Sequence, residues 1–185
     1  MAGKTSTNGF VLAGGKSRRM GRDKALVEWG NTSLLEHMAK LLLTVADKVQ
    51  IIGRGDFPDK ITGKGPLGGI LTALSLTDRD DNLFVAVDLP LLTPTFLNYF
   101  QDRFLGSPKN LMACRVGSRF PLCLGIRPRL VDDVARRVED GRLAIHTFIE
   151  ESDPEILEPE ELGAQGFDPT IFLNINTSDD LAKFR

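Results

Sequence analysis

The sequence predicts a single α/β domain built on a mainly parallel sheet, and three observations predict it. Short apolar runs alternate with longer amphipathic segments along the chain, the pattern of successive βα units. Two of those runs, "GFVLAG" and "NLFVAVD", are close to continuously apolar, as in strands covered on both faces. A chain of 185 residues can bury one substantial core and is short for two independent domains.

The elements follow in order. Residues 1–7 are expected to form a flexible arm, and "GFVLAG" is the first strand. From Thr32 to Ala46, apolar residues recur at helical spacing, with Leu34, Leu35, Met38, Leu41 and Leu42 on one side. "KVQIIG" gives a second strand, "PLGGILTALSL" a second helix and "NLFVAVD" a third strand. A further helix follows, with Thr93 as its cap and Pro94 at its first position. "NLMACRV" and "FPLCLGI" read as an antiparallel pair across Gly117-Ser118-Arg119. "PRLVDDVARRVEDG" has a proline start and a glycine stop, and a short helix is expected over Leu143 to Glu150. The acidic stretch Glu151 to Pro169 is expected to be a surface connection with one short strand. A last strand, "TIFLNIN", and a last helix, "SDDLAKF", complete the series. No internal repeat or low-complexity segment interrupts it.

Composition narrows the function classes. Hydrophobic residues are 42% and charged residues 26% of the chain, the balance of a globular protein. A net charge of −2 offers no general attraction to nucleic acid or to a membrane surface, so anion binding has to be local. Arg18-Arg19 is followed by polar and charged residues where an export signal needs an apolar region, and no run approaches the roughly 18 apolar residues of a membrane span. Cys114 and Cys123 read as small core residues in a reducing compartment. A cytoplasmic location is the expectation.

The unusual residues gather at strand ends. Gly14-Gly15 follow the first strand, "GKGPLGG" precedes the second helix and Asp88 ends the third strand. In an open α/β sheet these segments face one crevice outside the carboxyl ends of the strands. The glycines let backbone amides approach a ligand, and Lys16, Arg18, Arg19, Arg22 and Lys24 add positive charge, which suits a phosphate chain. The loop is neither a Walker A motif nor G-x-G-x-x-G. A solvated basic loop is the plain alternative. Asp88, just before the stiff Leu89-Pro90 turn, can ligate Mg²⁺ that also bridges phosphate oxygens; taken alone it reads better as a turn cap, and the glycine-basic loop beside it favours the metal.

Together these features suggest nucleotidyl transfer, with a substrate phosphate attacking the α-phosphorus of a nucleoside triphosphate. An anionic nucleophile needs no general base, so positioning and charge stabilisation suffice. His37 and His146 lie within helical patterns and read as helix-face or helix-end residues, and no Cys/His metal cluster or G-x-S-x-G elbow is present.

At these residues the chain resembles a known family. "LAGGKSRRMGRDKALVEWG" is similar to the signature of sugar-nucleotide-type nucleotidyltransferases, in particular the molybdenum cofactor guanylyltransferases. "GKGPLGGI" at 63–70, "VDLPLL" at 87–92, "RFPLCLGI" at 119–126 and "FLNINTSDDLAKF" at 172–184 follow in the family's order. The resemblance implies a Rossmann-like three-layer α/β/α fold of the nucleotide-diphospho-sugar transferase type. It also implies Mg²⁺-dependent transfer of GMP from GTP to molybdopterin, with other molybdenum cofactor biosynthesis proteins as partners. Under it, Leu12, Ala13, Gly14 and Gly15 cradle the nucleotide, Lys24 neutralises its phosphates, Asp88 holds the metal and Asp59 contacts the nucleotide. Gly65, Pro66 and Leu67 in "GPLGG" place backbone groups near the base edge and favour guanine, and Asn174 and Asn176 face the pterin end. Gly53 and Phe120 stand where some members have asparagine and histidine. A cytidylyltransferase, a guanylyltransferase with another acceptor and a non-catalytic nucleotide-binding module are the alternatives; a module without turnover would have no need of the Lys24 and Asp88 pair.

Overall fold

The computed structural model describes residues 6–14, 24–54, 63–176 and 180–181. Its first half runs β1 (Thr7–Leu12), a 3-10 turn at Lys24–Leu26, β2 (Glu28–Trp29), β3 (Thr32–Ser33), α1 (Leu34–Leu42), β4 (Lys48–Ile52), α2 (Gly65–Leu74) and β5 (Asp81–Ala86). Then follow α3 (Pro94–Gly106), β6 (Leu111–Cys114), β7 (Cys123–Ile126), α4 (Val131–Glu139), α5 (Ile145–Glu151), β8 (Glu155–Leu157) and α6 (Pro159–Ala164).

Six strands form one sheet in the order β4-β1-β5-β7-β6-β8, and β2 with β3 make a separate short ribbon. β1 pairs in parallel with β4 and β5, β6 pairs in parallel with β8, and β7 runs antiparallel to both of its neighbours. The predicted antiparallel pair is therefore present, inserted into an otherwise parallel sheet. Side chains alternate across the sheet with period two. Val11, Val85, Met112 and Cys123 bury against α1, α3 and α6, while Phe10, Phe84, Ala113 and Leu124 bury against α2, α4 and α5. The fold is thus the expected three-layer α/β/α sandwich.

Two glycines set how close the helices come. A Cβ on Gly9 would lie 2.7 Å from Leu42 of α1, and one on Gly125 would lie 2.6 Å from the Phe104 ring of α3. α1 begins at Leu34 because Ser33 and Glu36 form a reciprocal capping box, and Thr32 is taken up by the β2–β3 ribbon. Thr93 caps α3 by accepting from the Phe96 N–H, as its position before Pro94 predicts. Arg127 locks the far end of the sheet, donating to the Asp81 carboxylate and to the carbonyls of Phe104, Ser107 and Lys109 while stacking on the Phe104 ring.

Four expectations need correction. Thr7, expected in the N-terminal arm, opens β1 and donates its N–H to Asp47, while residues 1–5 lie outside the described residues. The segment after Glu151 contains α6 as well as β8, because Pro159 occupies a first helical position, where its missing N–H costs nothing. Residues 128–141 open with a 3-10 turn at Pro128–Leu130 before α4. "TIFLNIN" is not a strand: Asp168 caps a 3-10 turn at Pro169–Phe172, which drives Phe172 edge-on into Phe96, and β4 and β8 already hold the sheet edges. The last expected helix falls mostly outside the described residues. Among the described residues no helix is long and apolar enough to cross a membrane.

Candidate active site

From β1 the chain crosses to β4 on one side and then to β5 on the other. Connections that leave in opposite directions open a crevice at the carboxyl ends of β1 and β5. Leu12, Ala13 and Gly14 leave β1 into this crevice, where Gly14 is exposed. The Ala13 N–H donates to the Ile52 carbonyl and the Leu12 carbonyl accepts from Val87 N–H, so the start of the glycine loop is held in register with both neighbours.

Gly65, Pro66 and Leu67 form the first turn of α2 at the same edge. Gly65 has φ +59°, a conformation that L side chains rarely adopt, and among the described residues no side chain caps this helix. The amides of an uncapped first turn, with the helix dipole behind them, suit a phosphate or another electron-rich group. Lys64 beside them is committed elsewhere, donating to the Val138 carbonyl at the end of α4.

Asp88 stands two residues past β5 and is half-buried. Its carbonyl accepts from the Ile175 N–H at 3.0 Å, which brings the "NIN" segment onto the same edge. Asn174 and Asn176 are exposed on either side of buried Ile175, and the Asn176 N–H is anchored by Asp180. The structure therefore brings together Leu12, Ala13, Gly14, the Gly65–Leu67 turn, Asp88, Asn174 and Asn176. Lys24 opens the 3-10 turn before β2, and Gly15 and Asp59 lie outside the described residues. Among the described residues no three His, Cys, Asp or Glu side chains converge as a closed metal cage. The Asp88 carboxylate is a hard oxygen donor of the kind that suits a cation taking its other ligands from phosphate and water.

The family model for the MobA-like NTP transferase domain matches residues 9–155, which include the strand β1 edge, α2 and Asp88. The chain belongs to the MobA-like NTP transferase family. A "probable molybdenum cofactor guanylyltransferase" of Thermococcus kodakarensis is 33% identical over 191 residues, with 95% of this chain and 92% of the relative covered. The crystal structure of molybdopterin-guanine dinucleotide biosynthesis protein A from Archaeoglobus fulgidus superposes with TM-score 0.74 at 21% identity, over 96% of each chain. A Mycobacterium tuberculosis protein solved as a manganese complex superposes with TM-score 0.66 at 15% identity, covering 97% of this chain and 98% of its own. This transferase is an enzyme of nucleotidyl transfer.

Two residues at the edge escaped sequence reasoning. Arg54, just past β4, donates from Nε to the Ala13 carbonyl at 3.0 Å and so braces the start of the glycine loop. Its position after the second strand, at the carboxyl edge, was the only signal. His37 of α1 reaches the Pro90 carbonyl behind Asp88 at 2.9 Å, a contact across 53 residues that helical periodicity does not carry.

Proposed function

We propose that this transferase moves GMP from GTP to molybdopterin, forming molybdopterin guanine dinucleotide and releasing pyrophosphate. The observation that carries the reading is the meeting of four segments at one switch point: the β1 glycine exit, the uncapped turn of α2, Asp88 and the asparagine pair joined to Asp88 through Ile175. The molybdopterin phosphate oxygen attacks the α-phosphorus of GTP, a new P–O bond forms and the bond to the β-phosphate oxygen breaks. The chain supplies alignment and charge and needs no side-chain nucleophile.

In this reading the backbone of Leu12, Ala13, Gly14 and Gly15 cradles the triphosphate, with Asp59 contacting the nucleotide. Gly65, Pro66 and Leu67 lie along the base edge, where backbone groups favour guanine. Lys24 neutralises the phosphates, and Asp88 holds Mg²⁺. The metal, when bound, screens phosphate charge and polarises the P–O bonds. Asn174 and Asn176 hold the acceptor, with the whole chain acting as one nucleotidyltransferase domain in the cytoplasm beside other molybdenum cofactor biosynthesis proteins. The reading is supported by the named relatives and by the oxygen-donor character of Asp88.

Calorimetric titration with GTP, CTP and ATP, each with Mg²⁺, tests it, followed by assay of molybdopterin guanine dinucleotide formation. GTP binding alone is the expected result. Preference for CTP would keep the chemistry and overturn the guanine assignment, and no binding to any of the three would overturn the reading.

A further inference from the structure

The turn behind Asp88 presents three successive backbone carbonyls, and each accepts a hydrogen bond from a different place. The Asp88 carbonyl takes the Ile175 N–H at 3.0 Å, and the Leu89 carbonyl takes the Leu92 N–H at 3.2 Å. The Pro90 carbonyl takes His37 Nε2 at 2.9 Å. Because a carbonyl carries no proton, Nε2 is the protonated nitrogen of this imidazole in the bond. Pro90 is buried, so its carbonyl takes this bond in a place where leaving it unpaired would be costly.

His37 also connects two parts of the site. Its ring packs against the Trp29 indole with centroids 6.0 Å apart. Trp29 belongs to the β2–β3 ribbon, five residues after Lys24 opens the preceding 3-10 turn. The Val27 carbonyl, between them, accepts from the Leu34 N–H at the start of α1. A rigid helix thus holds both the ribbon that follows the basic loop and the turn that aims Asp88.

We infer that His37 is a positioning residue, fixing Asp88 for the metal and nucleotide by donating from α1 to the Pro90 carbonyl. The inference rests on Asp88 as the metal-holding carboxylate. A donor that fixes the backbone two residues past a metal-holding carboxylate sets its direction without touching metal or substrate, and its loss is expected to cost less metal affinity than the about 10–100-fold that follows loss of a partner bonded directly to a ligand.

The test is Mn²⁺-dependent binding of GTP without acceptor, followed calorimetrically at stepped Mn²⁺ concentrations. It uses the intact wild type, Asp88→Asn, His37→Phe, His37→Asn and His37→Gln. In His37→Phe the Mn²⁺ concentration for half-maximal binding is expected to rise several-fold, up to about tenfold. GTP affinity without metal should stay unchanged, and His37→Gln, whose amide can donate over a similar reach, should restore the wild-type midpoint. His37→Asn, polar but too short to reach Pro90, should behave like the Phe variant and replaces it if that variant does not fold. A wild-type metal midpoint in both His37→Phe and His37→Asn, with only the melting temperature lowered, would overturn the inference while leaving Asp88 in place. Loss in neither His37 variant nor Asp88→Asn, or absence of metal-dependent binding in the wild type, would overturn the Asp88 reading and the clamp with it.

Discussion

Replacing Arg127 with methionine removes the guanidinium and keeps a stem of similar length, and its cost follows from the partners left behind. The Arg127 and Asp81 side chains are only 17% and 14% exposed, so their 2.9 Å ion pair is shielded from water. Removing one partner from such a pair costs about 3–5 kcal/mol, because the remaining carboxylate stays buried without its counter-charge. The Ser107 and Lys109 carbonyls also lose their Arg127 donor, and each adds about 1 kcal/mol; the Phe104 carbonyl keeps the Ser107 N–H. The sum is about 5–7 kcal/mol, a large part of the roughly 5–15 kcal/mol that stabilises a typical domain. Urea unfolding followed by circular dichroism should show the midpoint falling by about 3 M at an ordinary denaturant slope. In the double variant Arg127→Met with Asp81→Asn, no charge remains buried, so the loss should be smaller than the sum of the single losses by about 1–3 kcal/mol. A single-variant loss below about 1.5 kcal/mol, or strict additivity in the double variant, would refute the reasoning. Because Asp81 opens β5 and Asp88 follows its other end, transfer activity per folded molecule should survive.

Asp88→Ala and Lys24→Ala should each lower GMP transfer more than about 100-fold with unchanged circular dichroism, and chelation of divalent metal should do the same to the wild type; retained turnover in both variants would sink the site assignment. Gly125→Ala places a methyl 2.6 Å from the Phe104 ring and should destabilise the fold by about 1–3 kcal/mol, read as a lower urea midpoint. Burial pushes the Cys123 thiol from its ordinary 9.0 up to about 12. Burial, and then the neighbouring Cys123, raises Cys114 as well. The folded state therefore keeps protons that the unfolded state releases, so this contribution is complete below pH about 9 and declines as pH rises toward 12. Unfolding curves at pH 8 and pH 10 should show that decline, and native protein at pH 8 should resist thiol reagents that label both cysteines in urea.

By itself the sequence determined the local elements and the chemistry of the loops. Near-continuous apolar runs placed β1 and β5, two apolar runs about a polar turn placed β6 and β7, period 3.6 placed α1, a proline start and glycine stop placed α4, and Thr93 with Pro94 marked the start of α3, because each signal is written in neighbouring residues. Gly14, the Gly65–Leu67 turn and Asp88 were legible for the same reason: each breaks a local pattern at a strand or helix end. Tertiary structure decided what depends on distant partners. Asp168 and the Phe96 ring turned "TIFLNIN" into a 3-10 turn and an irregular tail, although its composition suits a strand. The antiparallel insertion of β7, the closeness of Phe104 to Gly125, the Arg127 lock, the Arg54 brace and the bond from His37 to Pro90 join residues remote in sequence. Such contacts form only when the helices settle on the sheet, since their energies come from burial and pairing that no short stretch of chain possesses alone.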